Sequence, residues 1–176
     1  IKAFDLCISA GSLPVQYKNK ANVWQTVNRY GKDNKAEAKH RLENLSKQKS
    51  EPYLLADILT ACSILQVECP DVIKKASALA ETDEGKRHKD INFSLGRYYL
   101  WKGDYSRAVS NLEAGRDKSN KNRIEYNGPL MLVNLAEAYY RIKKFSEALE
   151  IYFEMSKQFP AIRQLQIAMQ GVYSMK

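Results

Sequence analysis

The sequence predicts an all-α fold, an α-solenoid of stacked antiparallel helical hairpins. Three observations point there. First, a pattern recurs at an offset of 40 residues: Leu95-Gly96-x2-Tyr99 followed by Ala108-x3-Leu112, then Leu135-Ala136-x2-Tyr139 followed by Ala148-x3-Tyr152 and Pro160. Such self-similarity is the signature of a supersecondary unit that buries its apolar face only by stacking on its neighbours. Second, Pro14, Pro52, Pro70, Pro129 and Pro160 each precede an apolar segment of helical period. Proline lacks an amide hydrogen and has a fixed φ, so it fits the first helical turn. Third, only 8 glycines and 5 prolines interrupt 176 residues, and no segment alternates as a strand does.

Taken in order, residues 1–10 read as the end of a helix. The chain opens on Ile1, so a piece of a longer protein is expected. Helices are then expected at about 15–30 and 34–48, turning at Gly31-Lys32-Asp33, and at about 52–67 and 70–81, turning at Glu68-Cys69-Pro70. The next pair is expected at about 88–102 and 105–118 around Gly103-Asp104, and the last at about 129–142 and 145–158 around Lys143-Lys144. Residues 161–175 form a capping helix or half of another repeat, on the apolar stripe Ile162, Leu165, Met169 and Tyr173. The connectors between hairpins are Gln48–Glu51, Glu81–Arg87 and the polar stretch Asp117–Pro129. None looks like a domain boundary. The expectation is one domain over 1–176, with hairpins at about 15–48, 52–81, 88–118 and 129–158.

Composition narrows the function. The chain is 44% hydrophobic and 27% charged, which suits a folded protein. No run is long enough to span a bilayer; the most apolar, Leu54–Val67, carries Asp57. Net charge is +8, divided as +6 in residues 1–50, −3 in 51–87, +3 in 88–128 and +2 in 129–176. The basic excess thus sits at one end, either as a lysine-rich solvated face or as an attraction for nucleic acid, an acidic protein or an anionic membrane surface. Cys7, Cys62 and Cys69 are an odd number without a Cys-x-x-Cys pair, so buried free thiols are expected, with a Cys62–Cys69 bridge at a helix end as the alternative.

Catalytic and metal-binding patterns are absent. His40 and His88 fall on different hairpins without ligand-spaced partners, and no Gly-rich phosphate loop or Gly-x-Ser-x-Gly occurs. Glu147, Glu150 and Glu154 share a helix face as a solvated stripe. The Asn-x-Ser triplets at Asn44 and Asn92 fall inside expected helices and read as chance. No catalytic residue, metal or cofactor is expected, and the chain reads as no enzyme.

At the repeated positions the chain resembles the tetratricopeptide repeat (TPR) family, whose hairpin reads W-x2-L-G-x2-Y, A-x3-F, then P. Leu95, Gly96, Tyr99 and Ala108 match in one repeat, where Asn92 stands for the tryptophan and Leu112 for the aromatic residue. Leu135, Tyr139, Ala148, Tyr152 and Pro160 match in the next, with Ala136 for glycine and Leu132 for tryptophan. The resemblance covers about 89–160 and fades upstream, where Ala38, Leu42 and Leu45 keep only the second-helix spacing. It implies a superhelix whose first helices line a concave groove that binds a peptide or partner protein. The implied groove residues are Phe93, Arg97 and Trp101, then Val133, Glu137, Tyr140 and Arg141. Arg97 and Trp101, four apart, are expected to form a cation–π pair. The carboxylate-gripping set of chaperone-binding members is not evident here.

Two alternatives stand beside this scaffold reading. A single-stranded RNA-binding helical-repeat module would use the basic charge and the 11 tyrosines. The other is a soluble TPR domain of a bacterial envelope, pilus, secretion or polysaccharide assembly protein, which a membrane span or signal peptide upstream would place outside the cytoplasm. The sequence leaves partner and oligomeric state open, and for the compartment it favours the cytoplasm over a periplasmic or other extracytoplasmic setting.

Overall fold

A computed structural model of the protein describes residues 2–11, 14–31, 33–47, 51–116, 129–161 and 163–175, the side chains of 163–165 excepted. The described residues form helices and turns without strands. The helices are α1 (Lys2–Ser9), α2 (Val15–Tyr30), α3 (Lys35–Lys47), α4 (Pro52–Leu65), α5 (Pro70–Ala80), α6 (Asp83–Arg87), α7 (Lys89–Lys102), α8 (Tyr105–Gly115), α9 (Pro129–Arg141), α10 (Phe145–Gln158) and α11 (Arg163–Tyr173).

Proline placement follows the physics of the first turn. Pro52, Pro70 and Pro129 are the first residues of α4, α5 and α9, and Pro14 immediately precedes α2. Consecutive helices then pack on one another, α2 on α3, α4 on α5, α7 on α8 and α9 on α10. Across these pairs α4 packs on α2 and α7, and α9 packs on α8. Leu55, Ile58, Leu59, Ile91, Leu95, Leu112, Leu132 and Leu135 are fully buried at these contacts.

The two motif-bearing turns share one geometry. Gly103 takes the left-handed conformation (φ 76°), and the Asp104 amide donates to the Tyr99 carbonyl at 3.0 Å. Forty residues on, Lys143 is left-handed (φ 61°) and the Lys144 amide donates to the Tyr139 carbonyl at 2.9 Å. Asp104 also caps α8, its Oδ1 accepting from the Arg107 amide at 3.1 Å. At the helix crossing, a Cβ on Gly96 would lie 2.5 Å from Leu112 Cγ, so the close approach is to Leu112. Ala108, Ala136 and Ala148 are buried alongside.

Some expectations are corrected. α4 stops at Leu65 because Gln66 turns left-handed (φ 56°, ψ 48°) and caps the carbonyls of Cys62 and Ser63. That turn sets Cys62 and Cys69 with Cα atoms 6.7 Å apart, and they are joined in a disulfide, so they are not buried free thiols. Cys7 is free but exposed. The connector 81–87 contains the short helix α6, capped where Thr82 Oγ1 accepts from the Gly85 amide at 3.0 Å. Gly85 is required there, since a Cβ would lie 1.8 Å from the Leu79 carbonyl oxygen. Tyr173 of the C-terminal stripe is exposed, while Val172 is buried and Met169 packs on the core. Ile162, the Leu165 side chain, the expected end of the second helix at 117–118 and the rest of the 117–128 connector lie outside the described residues.

Candidate functional site

The opening helices of the first three pairs, α2, α4 and α7, bring side chains to one cleft of about 460 Å³. Pro14, Pro52 and the loop after α6 start these helices, and the packing of α4 on both α2 and α7 sets them side by side. Thr60 Oγ1 and Ser94 Oγ are hydrogen-bonded at 3.0 Å, tying α4 to α7 in the cleft wall. Tyr17 and Tyr53 flank it as exposed rings, and Phe93 lies deeper, packed on the core. Tyr53 is steadied by an edge contact with His88, ring centroids 4.8 Å apart.

Among the described lining residues Glu51, Asp57 and Asp90 oppose one ammonium, Lys20. Burial pushes the Asp57 carboxyl above its ordinary range; Lys20 pulls it back, Asp90 adds to the rise, and a hydrogen bond with Trp24 opposes it. Asp57 is thus a carboxylate held in a partly desolvated wall.

Of the seven residues implied by the resemblance, Phe93 lines this cleft. Arg97, one turn on, lays its guanidinium 5.8 Å from the Phe93 ring centre. Burial lowers its pKa. The Arg97–Trp101 cation–π pair is therefore corrected: Arg97 is over Phe93, while Trp101 has Lys102 at 5.2 Å and meets Tyr98 edge-on at 5.2 Å. Phe93, Arg97 and Trp101 sit on α7. Val133, Glu137, Tyr140 and Arg141 sit on α9, outside the cleft. Val133 is exposed, Glu137 accepts from Arg141 Nε at 2.6 Å, and Tyr140 rests on Phe145. Arg141 also lies 5.7 Å from the Tyr105 ring centre.

The structure adds Tyr17, Lys20, Tyr53 and Asp57, which come from helices without the repeated motif. One signal was present: Asp57 is a charge inside the apolar run Leu54–Val67. Elsewhere, His40 is exposed and bonded to Asn44 at 2.9 Å. Glu154 of the supposed solvated stripe is instead paired with Arg116, while Glu150 is exposed. Among the described residues no group of three or more His, Cys, Asp or Glu could hold a metal ion. No described helix is long and apolar enough to cross a membrane.

No protein-family model matches the chain, and neither a curated protein nor a solved structure matches it.

Proposed function

We propose that this protein is a TPR-like helical-repeat module, an α-solenoid without chemistry of its own, that binds a peptide or partner protein in the cleft between α2, α4 and α7. The observation that carries this reading is that the opening helices of three successive pairs line one cleft with exposed tyrosines and a half-buried carboxylate. Side chains that cost free energy to hold in place are a mark of a site rather than of packing. The matching turns at Gly103 and Lys143 support a repeat, because the same hydrogen-bond pattern recurs with the sequence pattern. Arg97 and Arg141 then belong to the same first-helix face as that repeat would be continued.

A displayed random peptide library panned on the immobilised protein tests the reading. Tyr17 and Tyr53 are 54% and 57% exposed, so Tyr17→Ala and Tyr53→Ala should leave the fold intact by circular dichroism. Enriched peptides are expected to lose affinity for both variants. Undiminished binding would remove the cleft from the function. Arg97→Glu and Arg141→Glu, compared on the same peptides, report whether the site extends along α7 and on to α9.

The Cys62–Cys69 disulfide favours an extracytoplasmic setting for this module, since such bonds persist in oxidising compartments. Thiol alkylation of the protein unfolded in denaturant without reductant should modify Cys7 alone; modification of all three cysteines would count against that setting.

A further inference from the structure

We propose that Arg97 anchors a carboxylate of the bound peptide, an aspartate or glutamate side chain, while the residues next to it run along α7 to Phe93 and the exposed rings of Tyr17 and Tyr53. This rests on reading the cleft as a peptide site and adds the chemistry of its occupant.

An ion pair that the fold leaves unmade carries the choice. Among the described side chains Arg41, Arg107, Arg116 and Arg141 each pair with a carboxylate, and Arg97 pairs with none. Of these five, Arg97 and Arg116 are the two that are partly buried. Arg116 meets both Glu113 and Glu154, whereas burial alone acts on the Arg97 guanidinium and no carboxylate offsets it. A guanidinium does not shed its proton to escape that cost. Its contact with Phe93, 5.8 Å from the ring centre, is close to the outer reach of a cation–π pair, about 6 Å. That contact takes no hydrogen bond from the N–H fork, and such a fork fits a carboxylate through two parallel hydrogen bonds.

The position suits a ligand. Phe93, which lines the cleft, and Arg97 are one turn apart on α7. Helix α4 runs beside α7 at a constant offset: Thr60 bonds to Ser94, and Glu68, just past α4, pairs with Lys102, each pair 34 residues apart. Arg97 lies between these two cross-links, so packing fixes the helix that carries it while its side chain stays partly open. Lys20, the ammonium of the described cleft lining, already acts on Asp57, which leaves Arg97 as the uncommitted cation beside the cleft. One guanidinium suits one carboxylate, whereas a phosphate backbone is gripped by several cations, which disfavours RNA here.

The library peptides are the probe, fused to their carrier through their C-termini so that side chains supply their only carboxylates. Those whose binding depends on Tyr17 and Tyr53 should share an Asp or Glu at one fixed position, and Asn or Gln in its place should weaken them about tenfold. Arg97→Gln should cost the parent peptides a similar factor and the amide versions nothing, so the two changes are not additive. Arg97→Lys should recover part of the affinity, since it keeps the charge and loses the fork. The unfolding temperature of Arg97→Gln should not fall, because the guanidinium makes no ion pair within the fold. Cleft-dependent peptides with no shared acidic residue, or an Arg97→Gln variant that melts earlier and weakens acidic and amide peptides alike, would overturn the carboxylate inference and leave the cleft as a peptide site. Displacement of the peptides by oligouridylate at low salt, lost in Arg97→Gln, would overturn it in favour of a phosphate. Peptides indifferent to the tyrosine variants, or no enrichment at all, would overturn both readings together.

Discussion

Arg116, the residue that follows α8, reaches Glu154 on α10 and pairs with its carboxylate. The same guanidinium lies 3.9 Å from Glu113, which in turn accepts from the Tyr139 hydroxyl of α9 at 3.1 Å. One polar chain therefore joins α8, α9 and α10, across the junction between the third helix pair and the fourth. The Arg116 side chain is only 12% exposed, so screening by water is weak there. Glu154→Gln should destabilise the protein by about 1–2 kcal/mol, less than a fully buried pair because Glu113 still faces the cation. A double-mutant cycle with Arg116→Met, read by urea unfolding, should give a coupling of similar size. Additive effects would show that the pair does not hold the junction.

The turns at Gly103 and Lys143 have the same left-handed backbone but different residues. Glycine enters that region freely, whereas a side chain there costs about 1–2 kcal/mol. Lys143→Gly should therefore raise stability by about 1 kcal/mol, and Gly103→Ala should lower it by a comparable amount. Thermal unfolding of the two variants gives the signs. Equal and opposite shifts would establish the turns as equivalents in energy as well as geometry; a loss of stability in Lys143→Gly would mean that the lysine makes a compensating contact.

Helix placement was legible from a few residues. Prolines marked the starts of α2, α4, α5 and α9, and the Gly96, Tyr99, Ala108 pattern marked where α7 meets α8. These signals are local: they depend on φ restriction and on side-chain size at a contact a few turns away. The cleft was not legible, because Tyr17 and Lys20 on α2 stand tens of residues before Tyr53 and Asp57 on α4, and the two pairs meet only once those helices have packed. Polar partners were misjudged for a related reason. Arg97 has Phe93 and Trp101 at equal spacing on either side, and helical periodicity alone does not choose between them. The disulfide required the left-handed residue at Gln66, which no glycine or asparagine announces.

The Cys62–Cys69 bridge closes a short loop at the end of α4, and both half-cystines are fully buried. In the chain-entropy account a loop of this size constrains the unfolded state by about 2–3 kcal/mol. Cys62 packs in the core beside Leu59 and Leu65, and α4 forms one wall of the cleft. Reduction should therefore lower the unfolding temperature by several degrees and weaken cleft-dependent peptides in parallel. Cys62→Ala with Cys69→Ala should reproduce the change without reductant. Unchanged melting on reduction would mean that the bridge neither limits the unfolded chain nor steadies α4.

Tyr139 links packing to pH. Burial, and then the negative charge of Glu113 that its hydroxyl faces, push its pKa from the ordinary 10 up to about 12. The neutral phenol is the form that the fold favours. Between the unfolded value and about 12 the native chain holds a proton that the unfolded chain has lost, so stability falls as pH rises through that window and is fully present below it. Tyr98 and Tyr152 are also raised by burial, so the whole protein will weaken in alkali. The contribution of Tyr139 is isolated by comparison with Tyr139→Phe. That variant should lose its hydrogen bond to Glu113 and be less stable at neutral pH, by about 1 kcal/mol. Above the ordinary tyrosine pKa the gap between the two proteins should narrow, and it should close or reverse near the top of the window. Urea unfolding at stepped alkaline pH measures the gap directly. Parallel curves would show that the Tyr139 phenol titrates like a free one and that Glu113 does not face it in the folded protein.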